Sequence, residues 1–407
     1  MRIIFKMKGA DVMGIKFDES KRIFKLDAKD TSYLFHVTDS NHLLHMYYGK
    51  YVEDTDLYYL LRLGDEKFVP AVHDAMGPHS FDCAPLEYST SGVADFREPC
   101  LQVMDKKGMS ACEIQYVSHK IYDGKPKITG LPATFANKDS DCQTLEINCI
   151  DKHLNLEVVL IYTVFNELDV ITRSVRLKNA SDDTIHIRRV LSTCIDFDTI
   201  DMDMITLQGT WARERHVQRG KLRHGKQSVD SIRGASSHSL NPFVALVSPD
   251  ATEDVGEAYG FSLIYSGSFL ALAEGTQYEK SRFVMGLNPY DFDWKLDPGA
   301  EFEAPEVVMV YSDEGIGKMS RTFHDLYRNH LIRGKYKDVR RPILINNWEA
   351  TYFNFDTDKL IDIARESADL GIEMLVMDDG WFGKRDDDTT GLGDWVVNEN
   401  KIKGGLK

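Results

Sequence analysis

Between about residue 20 and residue 311, apolar and polar positions alternate with the two-residue period of β-strands, in short runs broken by turn residues. Arg22–Leu26, Ser32–His36 and Leu43–Tyr48 come first; Leu156–Val164, Val170–Leu177 and Ile185–Val190 come next. Phe243–Ser248, Gly260–Ser266, Phe269–Ala273 and Val307–Tyr311 complete the series. So many antiparallel-type strands predict a large sandwich of packed sheets over residues 13–311. No short repeat suggests a propeller or a solenoid.

At Ser312 the period changes. Ile316, Met319, Phe323, Leu326, Tyr327 and Leu331 recur at helical spacing, with Ser312 or Asp313 as the expected N-cap. This helix and the basic stretch after it, residues 312–341, read as a linker between two architectures. From 342 to 407 the pattern becomes strand, helix, strand. Ile343–Ile345 is a short buried strand, and Thr357 caps a helix whose stripe is Leu360, Ile363, Ala364 and Ala368. Gly371 stops that helix, and Ile372–Met377 is the next buried strand. Such a βαβ unit builds a parallel sheet or barrel.

The chemistry concentrates where that last strand ends, on Asp378-Asp379-Gly380-Trp381. Ligands of parallel α/β folds bind at the carboxyl ends of strands, and Trp348 ends the preceding strand. An indole packs on the C–H face of a pyranose, while ionised carboxylates accept its hydroxyls. A retaining glycosidase places its two catalytic carboxylates about 5–5.5 Å apart across the scissile bond. Adjacent residues on a strand point to opposite faces, so hydroxyl binding suits Asp378 and Asp379 better than catalysis. The plain alternative is a turn and helix-cap role before Gly380. Asp386-Asp387-Asp388 lacks the alternating ligands of a calcium loop, and Gly391-Leu-Gly-Asp-Trp395 is not a nucleotide fingerprint. Trp395 reads either as a second sugar platform or as a rim residue.

Composition narrows the partners. With 49 Lys+Arg against 64 Asp+Glu the chain carries −15, which disfavours nucleic acid and anionic membranes. Six cysteines without metal-site spacing read as free thiols, and the absence of an export signal or long apolar run gives a cytoplasmic expectation. Residues 1–12 share no pattern with the strand-and-turn sequence that begins at Met13, so Met13 is the expected natural start.

The stretches Asn347-Trp-Glu-Ala350, Leu375-Val-Met-Asp-Asp-Gly-Trp-Phe-Gly-Lys-Arg385 and Leu392-Gly-Asp-Trp-Val-Val-Asn398 resemble the bacterial α-galactosidases of glycoside hydrolase family 36. Leu44–Gly49 and Tyr88–Pro99 are similar to that family's first domain. The resemblance implies a β-supersandwich followed by the start of a (β/α)8 TIM barrel. It implies metal-free, cofactor-free retaining hydrolysis of terminal α-linked galactose from melibiose- and raffinose-type sugars, in a homotetramer. Asp378, Asp379 and Trp348 would hold galactose, and Asp65 matches a sandwich carboxylate that reaches a neighbouring subunit's pocket. The family's nucleophile, in a Lys-Trp-Asp motif, and its acid/base would come later in the chain; only twelve residues lie beyond Trp395. The chain therefore reads as the N-terminal portion of such an enzyme, inactive alone. A non-catalytic carbohydrate-binding or assembly module, a raffinose synthase and an α-N-acetylgalactosaminidase are the alternatives.

Overall fold

A computed structural model describes residues 14–64, 71–74 and 77–406; Asp65 and the question of a start at Met13 lie outside the described residues. Two compact units divide between Ile332 and Arg333.

The first unit is mostly antiparallel β-sheet. Its largest sheet runs, in spatial order, Arg213–Lys221, Asp203–Thr210, Leu240–Val247, Ala258–Leu263, Val307–Ser312, Val170–Asn179, Leu156–Phe165, Cys142–Asp151 and Gln115–Asp123. A second sheet orders Gly225–Ser231, Phe269–Gly275, Ser281–Leu287, Ile185–Phe197 and Trp294–Leu296. Gly14–Asp18 through Leu43–Lys50 form a four-stranded meander. The two-residue period decides which face each side chain serves. On Val307–Ser312, Val307, Met309 and Tyr311 enter the core shared by the sheets, whereas Val308 and Val310 face the other way.

That outer face is covered by the helix Gly315–His330, through Met319, Phe323 and Leu326. Burying each such side chain contributes about 1.5–3 kcal/mol. Gly260 lets the helix approach, because a Cβ there would sit 2.5 Å from Phe323 Cε2 and 2.7 Å from Met319 Sδ. Neither Ser312 nor Asp313 is the N-cap: Gly315, at φ 79°, delays the helix so that Glu314 takes that position. The Ser312 hydroxyl instead accepts from the Glu314 amide at 3.1 Å.

Buried charges are paired across the strands, as desolvation requires. Arg173 donates to Tyr33 Oη at 3.0 Å and to the Cys194 carbonyl at 2.7 Å, beside Glu87. Arg282 Nε donates to Asp196 Oδ1 at 2.6 Å, and Arg97 Nη1 to its Oδ2 at 3.0 Å. Burial pushes Asp196 up, but Arg282 and Arg97 outweigh it and bring its pKa down to about 2. All six cysteines are buried, and none is in a disulfide.

In the second unit Leu344–Asn346 pairs in parallel with Met374–Val376 around the helix Thr357–Asp369. The βαβ order matches its pattern, but these strands are not buried as their apolar run predicts. Leu375 and Met377 pack with Phe355, Leu360 and Ile402, while Leu344 and Met374 stay 51% and 39% exposed. A two-stranded sheet with one crossover helix has too little cover for both faces. The helix cap is also corrected. Asp356 accepts the Lys359 amide at 2.9 Å, and the Thr357 hydroxyl accepts the Lys403 amide at 2.8 Å, tying down the segment beyond residue 400.

Candidate functional site

Parallel pairing sets Asn346 opposite Val376, so both strands end at one level and release Asn347-Trp348 and Met377-Asp378 side by side. Asn346 links the two exits. Its Nδ2 donates to Asp378 Oδ2 at 2.6 Å, and its Oδ1 accepts the Trp348 amide at 2.8 Å. Asn347, fully buried, adds a second tie: its Oδ1 accepts the Asp378 amide at 2.8 Å and its Nδ2 donates to Thr351 Oγ1 at 2.9 Å.

The two carboxylates are set up differently. Asp378 Oδ1 accepts the Asp379 amide at 2.7 Å, and Asp379 Oδ1 accepts the Gly380 amide, also at 2.7 Å. The turn role expected as the plain alternative is therefore present, and it fixes both carboxylates. Arg385 Nε then donates to Asp379 Oδ1 at 2.6 Å and Oδ2 at 2.8 Å. That buried guanidinium holds the Asp379 carboxyl below the usual carboxylate range. It is itself secured by the Thr390 carbonyl at 2.6 Å and the Phe353 ring at 5.5 Å. A carboxylate accepts about four hydrogen bonds, so each aspartate keeps acceptor capacity for a ligand.

Gly380 is required at this turn. It lies at φ 94°, and a Cβ would meet Phe353 Cδ1 at 3.0 Å. The aromatic groups fall into two sets. Trp348 stands edge-on to Tyr352 and Phe353, with centroids 5.3 and 4.9 Å away. Tyr352 holds φ 46°, a strained conformation for a side-chain-bearing residue. Trp395 packs near Phe382 at 4.7 Å and Trp381 at 6.3 Å and is 67% exposed.

Of the residues singled out in the sequence, Asp378 and the backbone of Trp348 are joined through Asn346, and Asp379 comes directly after. Trp395 belongs to a separate aromatic set, and Asp65 is outside the described residues. Sequence reasoning missed the roles of Asn346, Asn347 and Arg385. Two asparagines in succession at a strand's carboxyl end were the available signal.

The arrangement can be set beside known proteins. A model of the glycosyl hydrolase family 36 N-terminal domain matches residues 41–297, and a melibiase model matches 301–407. The α-galactosidase AgaA of Geobacillus stearothermophilus is 46% identical over 394 residues, covering 97% of this chain and 54% of the relative. A crystal structure of α-galactosidase AgaB from the same organism superposes with TM-score 0.92 at 47% identity, over 97% of this chain and 54% of that one. The Lactobacillus brevis α-galactosidase gives TM-score 0.93 at 39% identity, over 96% and 53%. AgaA variants have been crystallised in complex with raffinose and with stachyose. The chain spans about half the length of the curated relatives it matches. With one family model covering well over half of its length, the chain belongs to glycosyl hydrolase family 36.

Proposed function

We propose that this chain supplies the sugar-gripping part of an α-galactosidase that releases terminal α-linked galactose, with retention, from melibiose- and raffinose-type oligosaccharides. Asp378 and Asp379 accept ring hydroxyls and Trp348 packs on the sugar's apolar face. Trp395 offers a second platform at the rim, and Asp65 remains the candidate contributed to a neighbouring subunit. In this reading residues 13–311 form a β-supersandwich, 312–341 the linking helix and segment, and 342–407 the first βαβ unit of a (β/α)8 barrel.

The observation that carries the reading is the Arg385–Asp379 pair, one Nε–H shared between both carboxylate oxygens, beside Asp378 at the shared strand ends. A carboxyl kept ionised by a guanidinium accepts hydroxyl protons well and is a poor proton donor. Consecutive residues, each carboxylate anchored to the amide of the residue after it, do not flank a scissile bond. Gripping, rather than cutting, is what this pair is built for. The complexes of AgaA variants with raffinose and stachyose support the substrate class. Calorimetric titration of the 407-residue chain with galactose tests the reading. Asp379→Asn weakens binding at least about tenfold, the loss of a charge-assisted hydrogen bond or more; unchanged affinity overturns it.

A further inference from the structure

We propose that an aromatic groove on the sheet unit is a second binding site, for a neutral oligosaccharide. The groove, of ≈ 750 Å³, lies between the loop after Ser281–Leu287 and the strand Glu301–Glu303. Tyr290 and Trp294 present rings 68% and 48% exposed, an unusual outlay of aromatic surface on one side of a sandwich. Asp291, Glu301 and Glu303 stand among them.

The groove is held in shape. Asn288 accepts the Tyr290 amide at 2.9 Å and donates to the Phe269 carbonyl at 3.0 Å, anchoring the loop to the neighbouring strand. Phe302 meets Trp294 edge-on at 5.1 Å and Phe292 at 6.1 Å. Glu303 Oε2 accepts the Thr129 amide at 2.7 Å. Trp294, held against Phe302, presents its ring with a reduced ordering cost, on a loop whose backbone is fixed at Tyr290.

Charge and chemistry select the occupant. Among the described residues the lining holds no Lys, Arg or His, so an anionic ligand meets only repulsion. A wholly apolar partner would strip water from Asp291 and Glu301 without replacing it. A neutral sugar satisfies both halves, its C–H faces on Tyr290 and Trp294 and its hydroxyls on the carboxylates. The site stands on these residues alone, independent of the strand-end pocket.

The test is calorimetric titration of stachyose into the chain carrying Trp348→Ala and Asp379→Asn, which disables the strand-end pocket. Stachyose still binds this variant, and adding Tyr290→Ala and Trp294→Ala weakens binding at least about tenfold, two stacked rings at about threefold or more each. Tyr290→Phe with Trp294→Phe keeps the rings and stays within about threefold of the parent, which separates stacking from misfolding. No binding to the pocket-disabled chain, or binding indifferent to the alanine pair, overturns the proposal. Tetralysine binding in place of stachyose overturns it too, since the groove would then be a cation site. Failure of the strand-end reading shows separately, as wild-type galactose binding indifferent to Asp379→Asn.

Discussion

Asn347→Leu tests whether the strand-end site is assembled from inside the fold. The fully buried asparagine makes two side-chain hydrogen bonds, accepting from the Asp378 amide and donating to Thr351. Leucine fills a similar volume and makes neither. Each lost bond costs about 1 kcal/mol, and the Asp378 amide left without its partner costs about 1–3 kcal/mol. The overlap of these costs gives about 2–4 kcal/mol. Because the chain divides at Ile332, a global melt can miss a change confined to the second unit. Hydrogen exchange of the peptide spanning 372–382 reads it directly. A cost of about 2–4 kcal/mol raises local opening about 30- to 1000-fold. Thr351→Ser keeps the hydroxyl that Asn347 reaches, spares the Asp378 amide, loses one methyl group and raises it only about fivefold. Exchange within about threefold of wild type for Asn347→Leu would refute the reasoning, as would equal effects of the two substitutions.

Three further outcomes are expected of the same structure. Asp196, at about 2 against an ordinary 3.8, gives stability that is fully present above pH 4 and lost as pH falls to 2. It is worth about 2.5 kcal/mol, so Asp196→Asn should flatten the decline in urea-unfolding free energy over that window by up to this amount; parallel acid profiles would contradict it. Gly260→Val drives a methyl into Phe323 and Met319, and overpacking of this kind costs about 1–3 kcal/mol in urea unfolding. A neutral effect would mean that the helix does not seat there. Because Arg385 lowers the Asp379 pKa, galactose affinity should be flat from pH 7 to 5, and a tenfold drop across that range by calorimetry would show that Asp379 is not held as described.

Val170–Asn179 and Val307–Ser312 were legible as runs of apolar and β-branched residues, because nearly every position is buried on one face or the other. Arg213–Lys221 was missed: every residue of this edge strand is exposed, so nothing in Arg-Glu-Arg-His-Val-Gln-Arg-Gly-Lys alternates. The pairing of Arg173 with Glu87 was illegible for another reason, since partners 86 residues apart meet only through sheet topology. At the site, Asp378 and Asp379 stood out because they end an apolar strand. The roles of Asn347 and Arg385 depend on which amide and which carboxylate they reach, and spacing does not encode that.

The most direct measurement is a crystal structure of the chain soaked with melibiose. The galactosyl ring is expected at the shared strand ends, with hydroxyls within about 3 Å of Asp378 and Asp379 and its apolar face on Trp348. A sugar seated elsewhere, or an empty strand-end site at saturating melibiose, would contradict the assignment of Asp378 and Asp379 as the galactose grip.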